Sequence, residues 1–421
     1  MFSGLLCSAS AATTRTVGVG GAAPNYATIA SAVAAAADND IISIETNIQT
    51  ECGISIGTSG IHLTITGKGV ANTILQGAAS RYAATNGIFK VAVAGGRVTF
   101  QNMTIQYGCL TNNYSGGGYC GAAIGSMNQN AAGSSIVVSN CALLWNDCVT
   151  TNSATTFLGG AICQINSCSS NSIAVVSCLL ASNSVTGLGA GQGGAICVGD
   201  GSLRVDGSTI MGNSVCGVNG SSGFGGAIAL RGGTVGVSVN SIMNSTLYNN
   251  TSVTKGGGIW SQAAPTCTIY NCTIFLNAAT GTTSYGGGVN NSAGSMLFSS
   301  SIVASNTDSL SQDIYVSGAT AILTNCLFEK LSSYTSVVTN NCIKGADPKL
   351  LAMTYNGGPT PTMALAWDSP CTNQGVNPLG LSYDQRGYPY DRAHGSAPDI
   401  GAYEYGAGVV LSSGGMLLIV K

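Results

Sequence analysis

Between residues 103 and 306 the apolar positions fall in short runs broken by Gly, Asn and Ser, with no helical 3.6-residue spacing. Two phrases alternate there. Gly-Gly-Ala-Ile occurs at 159–162, 193–196 and 225–228, then as Gly-Gly-Gly-Ile at 256–259 and Gly-Gly-Gly-Val at 286–289. Its last residue (Ile162, Ile196, Ile228, Ile259, Val289) advances by 34, 32, 31 and 30 positions. The second phrase opens on a small residue, continues through mostly apolar positions and closes on Asn146, Asn183, Asn213, Asn250, Asn277 and Asn306. Those asparagines are separated by 37, 30, 37, 27 and 29 positions. A repeat of about thirty residues with variable insertions marks a stacked architecture.

Each repeat carries strand-like runs and turns, so the stack is a parallel β-solenoid in which every unit buries its apolar face against the next. Equivalent residues then lie about 4.8 Å apart. Ile162, Ile196, Ile228, Ile259 and Val289 are expected to form one interior column, and Leu143, Leu180, Ile210, Leu247, Ile274 and Val303 a second. The six asparagines are expected at a corner, tolerating left-handed backbone and bonding to one another through their amides. The glycines are expected to serve positive-φ turns or close contacts between units.

This pattern divides the chain into four parts. Residues 1–40 hold an N-terminal segment and the one clear helix, Asn25 to Ala37, placed to cover the open apolar end of the first coil. Residues 41–344 are the β-helix, 345–405 an irregular C-terminal cap and 406–421 an apolar tail. Met1 to Ala12 reads as a mature or truncated end without a recognisable signal peptide.

Charge changes the picture next. Only 7% of the residues are charged, against about 25% in an average soluble domain, and the net charge is −2. That excludes a basic nucleic-acid surface. No apolar run reaches the length of a membrane span. Of 16 cysteines, Cys141, Cys178, Cys272 and Cys326 fall where Ser stands in other repeats, so they read as small buried residues. Cys109 with Cys120, Cys163 with Cys168, and Cys326 with Cys342 are spaced for local disulfides in an exported protein. There is no Cys-x-x-Cys, and His occurs only at 62 and 394, so neither a metal site nor a cofactor is expected.

From Gly345 the texture changes to Asp347-Pro-Lys-Leu, Asn356-Gly-Gly-Pro-Thr-Pro-Thr-Met-Ala-Leu, Ser369-Pro, Asp384-Gln-Arg-Gly and Asp399-Ile-Gly-Ala-Tyr-Glu404. These motifs resemble the C-terminal region of secreted bacterial β-helix proteins of the choice-of-anchor Q type. The repeat phrases are similar to those of chlamydial polymorphic outer-membrane proteins. The resemblance implies a right-handed parallel β-helix at the cell surface, and no established chemistry. Asp384, Arg386, Asp399 and Glu404 are expected to fix the cap through buried or half-buried pairs.

Candidate chemistry is sparse. Between Cys52 and Thr307 the only acids are Asp147, Asp200 and Asp206. Asp200, Arg204 and Asp206, with Arg231 about one coil later, are the residues a pectate-lyase-like enzyme would use here. Tyr107, Tyr114 and Tyr119 could form a sugar-stacking platform in a glycan-binding adhesin. The sequence favours a third reading, a non-catalytic structural or adhesive protein that assembles end to end into an extracellular filament or surface layer. Its partners would be copies of itself, with cell-surface glycans as a further class. In the tail, Val409, Leu411, Leu417 and Ile419 would form a strand lent to a neighbour or docked on the same molecule.

Overall fold

A computed structural model describes residues 12–18, 25–112, 121–126, 132–150, 157–165, 170–217, 222–232, 239–262, 266–310, 312–408, 410–411 and 417–418. The chain is a single-stranded parallel β-helix with three long faces. Sheet A has 13 strands and ends at Val337–Asn340; sheet B has 11 and ends at Ile343–Lys344; sheet C has 10 and ends at Leu331–Ser333. Parallel strands joined by crossovers coil right-handed in nearly all cases.

One coil shows why the sequence folds this way. Ser172–Val176 in sheet A alternates half-buried and buried, so Ile173 and Val175 face the core. The chain bends at Ser177, crosses sheet B as Leu179–Ala181, bends again at Ser182, and returns to sheet C as Ile196–Val198 after a third bend at Gly193. All three bend residues have left-handed backbone, with φ of 53°, 58° and 69°. Ile162 pairs in register with Ile196, Ile196 with Ile228, Ile228 with Ile259 and Ile259 with Val289, all fully buried. Leu143, Leu180, Ile210, Leu247, Ile274 and Val303 form the matching column of sheet B.

The two glycines of each phrase do different work. Gly193 makes the bend, and a Cβ there would also lie 2.2 Å from the Ile196 carbonyl oxygen. Gly194 has ordinary backbone but sits where the next coil passes, since a Cβ would lie 2.1 Å from the Gly226 carbonyl.

At the N-terminal end the helix is shorter than expected, Ile29–Ala34 (α1). Asn25–Tyr26 is instead a strand paired with Thr14–Val17. The Thr28 side chain caps the helix by accepting from the Ser31 amide, and Glu51 accepts from the Ile29 and Ala30 amides. The coil itself begins before the helix, because Thr14 to Val17 pairs with Ile41 to Ile44. Ile29 and Ala32 pack fully buried in the core that begins with Val17, Ile42, Ile44, Ile54 and Ile56.

Residues 346–408 pack along the side of the coil rather than across its end. The Thr360 hydroxyl donates to the Gly207 carbonyl. Asn244, Asn271 and Asn325 donate through Nδ2 to the carbonyls of Tyr383, Val376 and Gln374. The Gly401 amide donates to the Ser300 carbonyl. Gly207, Asn244, Asn271, Ser300 and Asn325 are successive left-handed bends between sheets A and B. Leu365, Cys371 and Ile400 of the segment bury against Ile302, Ala304 and Leu327.

Candidate functional site

Two polar ladders run inside the bends. In the first, Asn183 Oδ1 accepts from the backbone N–H and Nδ2 of Asn146, both at 3.0 Å. Asn213, Asn250, Asn277 and Asn306 repeat the pattern at 2.8–3.0 Å. Each of these Nδ2 groups also donates to a carbonyl of the preceding coil, such as Asn213 to Leu180 at 3.0 Å. The left-handed residue is not the asparagine, as sequence reasoning had it, but the one before: Trp145, Ser182, Gly212, Asn249, Leu276 and Ser305. Left-handed backbone costs an L-residue about 1–2 kcal/mol. Two buried hydrogen bonds per asparagine, each worth about 0.5–1.5 kcal/mol net, offset it.

The first ladder begins at the Gly108 amide, which donates to Asn146 Oδ1, and stops at Asp313. Asp313 Oδ1 takes the last pair of N–H groups, from Asn306, and its Oδ2 accepts from the Glu329 and Lys330 amides. The carboxyl is buried, and that burial, opposed by these donors, pushes it up to about 6.

The second ladder comprises Cys141, Cys178, Ser208, Ser245, Cys272, Ser301, Cys326 and Cys342. The Cys141 amide donates to Cys178 Sγ at 3.4 Å, and the Cys178 amide to Ser208 Oγ at 3.0 Å. Cys141, Cys178, Cys272 and Cys326 are buried. Cys326 and Cys342 are both thiols, so the disulfide allowed by their spacing is not formed. Cys120 and Cys168, named for the other two pairings, lie outside the described residues.

The C-terminal segment is held by two buried ion pairs. Arg386 lies between the rings of Tyr390 and Tyr403, 3.9 and 3.8 Å from their centroids, and its Nη2 meets Asp384 at 2.5 Å. Arg392, part of the same charge cluster in the sequence, donates to Glu404 at 2.8 Å and to the Asp399 and Gly401 carbonyls. Burial pushes the Glu404 carboxyl up to about 7, against the opposing pull of Arg392. Asp399 accepts from the Asn373 and Tyr405 amides. The His394 amide also donates to Glu404, while the buried Nε of Arg392 has no hydrogen-bond partner.

The residues proposed for lyase chemistry divide between two places. Arg204 and Asp206 form an ion pair of 2.6 Å on sheet A. Asp200 and Arg231 belong to the turns leading out of sheet C, where the Arg231 amide donates to the Val198 carbonyl. Asp206 lines a cleft of about 230 Å³ between the bends at Ser177, Gly207 and Asn244 and the stretch 381–387. Asp384 also lines it, with its carboxylate engaged by Arg386. Among the described residues no cluster of three or more His, Cys, Asp or Glu could hold a metal ion. Tyr107 is half-buried, its ring 5.8 Å from that of Trp145 on the next coil, while Tyr114 and Tyr119 lie outside the described residues.

Sequence reasoning missed the pair that half-buried Arg81 makes with buried Asp147. Arg81 grips Asp147 with two hydrogen bonds of 2.8 Å, and the Ser184 hydroxyl donates to the same carboxylate. The one available signal was an acid directly after a ladder asparagine.

The last coil is built differently from the rest. Leu331, Val337 and Thr339 continue the inward columns of Ile314, Ala321 and Leu323, which are fully or almost fully buried, yet all three are half-exposed. With Phe328 and Lys344 they line a recess of about 700 Å³. Leu331–Ser333, Val337–Asn340 and Ile343–Lys344 are the outermost strands of sheets C, A and B. Leu310 and Tyr334 stand beside this end 62% and 79% exposed. In the tail, Leu411 pairs antiparallel with Leu417 in a small ladder separate from sheets A to C. That replaces the single strand expected there. Val409 and Ile419 lie outside the described residues.

No protein-family model matches this chain, and no curated protein matches it. Among solved structures, the crystal structure of pectate lyase Pel9A is similar over 93% of this chain and 97% of its own, with 15% identity and a TM-score of 0.43. The expectation that this chain is not an enzyme is therefore corrected. At that identity the likeness assigns no activity here.

Proposed function

We propose that the chain is a structural β-helix of the cell exterior that associates with copies of itself through the C-terminal end of its coil. The observation carrying this reading is the half-exposed final coil, where three sheets end together over apolar positions. Unpaired strand edges template further strands unless something covers them. Low charge supports the reading too, since 7% charged residues leave little repulsion between copies. The surface location rests on the motifs of 347–404 that resemble choice-of-anchor Q proteins.

The mode of assembly follows from the opposite end, which α1 covers. Head-to-tail growth into a filament or layer needs both ends open, whereas a pair joined at the C-terminal ends needs one. Pairing is the first step of this reading, and longer growth waits on displacement of α1. Light scattering of the full chain over a concentration series tests it. A dimer that gives way to monomer on dilution is expected, with rods of twice the monomer length in negative stain. Monomers alone at the highest concentration would refute it.

A further inference from the structure

We propose that Cys326 and Cys342 are a thiol pair that closes into a disulfide when a small-molecule disulfide reaches the end of the coil, stapling its last two strands of sheet B together. The register places them side by side: Leu327 pairs with Ile343 and Phe328 with Lys344, so the residue before each pair, Cys326 and Cys342, stacks in the same way. In-register parallel neighbours lie about 4.8 Å apart, inside the Cα separation a disulfide spans. Both sulfurs turn inward at the bend. Cys342 Sγ donates to the Leu323 carbonyl of the preceding coil at 3.4 Å, and Cys326 Sγ to the Thr324 carbonyl at 3.3 Å.

The two thiols differ in a way that assigns roles. Cys326 is fully buried, and burial raises its pKa. Cys342 is half-buried in the last coil, where reagents arrive. The hydrogen bond from Cys326, the largest influence, lowers the Cys342 thiol to about 6, with the nearby charge of Lys344 helping. The Cys342 thiolate is the nucleophile. It attacks one sulfur of the small disulfide, forming a mixed disulfide and releasing one thiolate. Cys326 then loses its proton to that thiolate and attacks Cys342 Sγ, forming the Cys326–Cys342 bond and releasing the second thiolate, which takes up from solvent the proton that Cys342 had given to it. Two protein thiols are oxidised and one disulfide is reduced to two thiols. Cys141 and Cys178 stack similarly but are both buried far from either end, so they stay reduced.

Serine is native at this ladder position in residues 208, 245 and 301, so Cys326→Ser and Cys342→Ser preserve the fold. The reduced full chain is exposed to glutathione disulfide at neutral pH, and its peptides are mapped without reduction. Wild type is expected to yield the Cys326–Cys342 bond with little retained glutathione. Cys326→Ser is expected to trap glutathione on Cys342, and Cys342→Ser to leave Cys326 unmodified. Glutathione persisting on wild-type Cys342 would overturn the proposal, as would no adduct in Cys326→Ser or a Cys342–Cys342 link between copies.

Discussion

The two ends of the coil solve the same problem in opposite ways. At the N-terminal end, α1 lays Ile29 and Ala32 over the first columns. Asp40 ties that end together by accepting from the Thr13 and Ala37 amides and from Arg15 Nε. At the C-terminal end the polar ladder is closed by Asp313, but the apolar columns run out at Leu331, Val337 and Thr339 with nothing described over them. The long irregular segment that could have covered this end is hooked along the flank instead. A β-helix must satisfy its backbone at each end, and it need bury its core at only one if the other meets a partner.

The largest effect is expected from removing the cover. Ile29→Ala should cost about 2–5 kcal/mol, because Ile29 is fully buried and cannot be replaced without a cavity. Chemical denaturation measures the loss, and light scattering should then show species larger than a dimer as the first coil is uncovered. A variant of native stability would mean that α1 is not a cap.

Next comes the ladder's stop. Asp313→Ala leaves the Asn306, Glu329 and Lys330 donors without their acceptor, at a cost of about 1–3 kcal/mol for each group that water does not reach. Hydrogen exchange should localise the loss to the strands after Ala304. Uniform loss along the coil would contradict the picture of a local stop.

The two carboxyls should also answer pH in opposite senses. Burial alone would raise Asp40, yet the Ala37 and Thr13 amides and the Arg15 guanidinium outweigh it and hold it below its ordinary 3.8. Its contribution is present above that value and is lost as pH falls through the lower folded value. Asp313, raised to about 6 from 3.8, contributes most below 3.8 and loses that contribution as pH rises through 6. Moving from pH 6.5 to 4 should therefore protect amides near Asp313 while leaving those near Asp40 unchanged. Further acidification should expose the N-terminal end first. Parallel changes at the two ends would contradict this.

Much of the coil was legible because its columns are written in residues that do one thing. Ile162 to Val289 recur as the inward end of a glycine phrase, and the six asparagines recur because their short amide both accepts and donates at that bend. The left-handed residue escaped notice because Trp145, Ser182 and Leu276 share no chemistry; only their place before Asn is constant. The hooks Asn244, Asn271, Ser300 and Asn325 stand directly before the Cys/Ser ladder and were visible there as a repeated Asn or Ser. What they hold was not visible, since it lies up to 139 residues away in the sequence and follows no period. The open end was illegible for a related reason. Leu331 and Val337 read like any core residue, and only the path of the following segment decides that none of the described residues covers them.

The most direct test of the account is sedimentation of wild type beside Leu331→Lys and Val337→Lys. Both positions are already half-exposed, so stability should change by no more than about 1 kcal/mol. The account predicts a concentration-dependent dimer for wild type and a dissociation constant raised at least about tenfold, or about 1.4 kcal/mol, in either variant. A wild-type chain that is monomeric throughout, or variants that pair as well as wild type does, would contradict it.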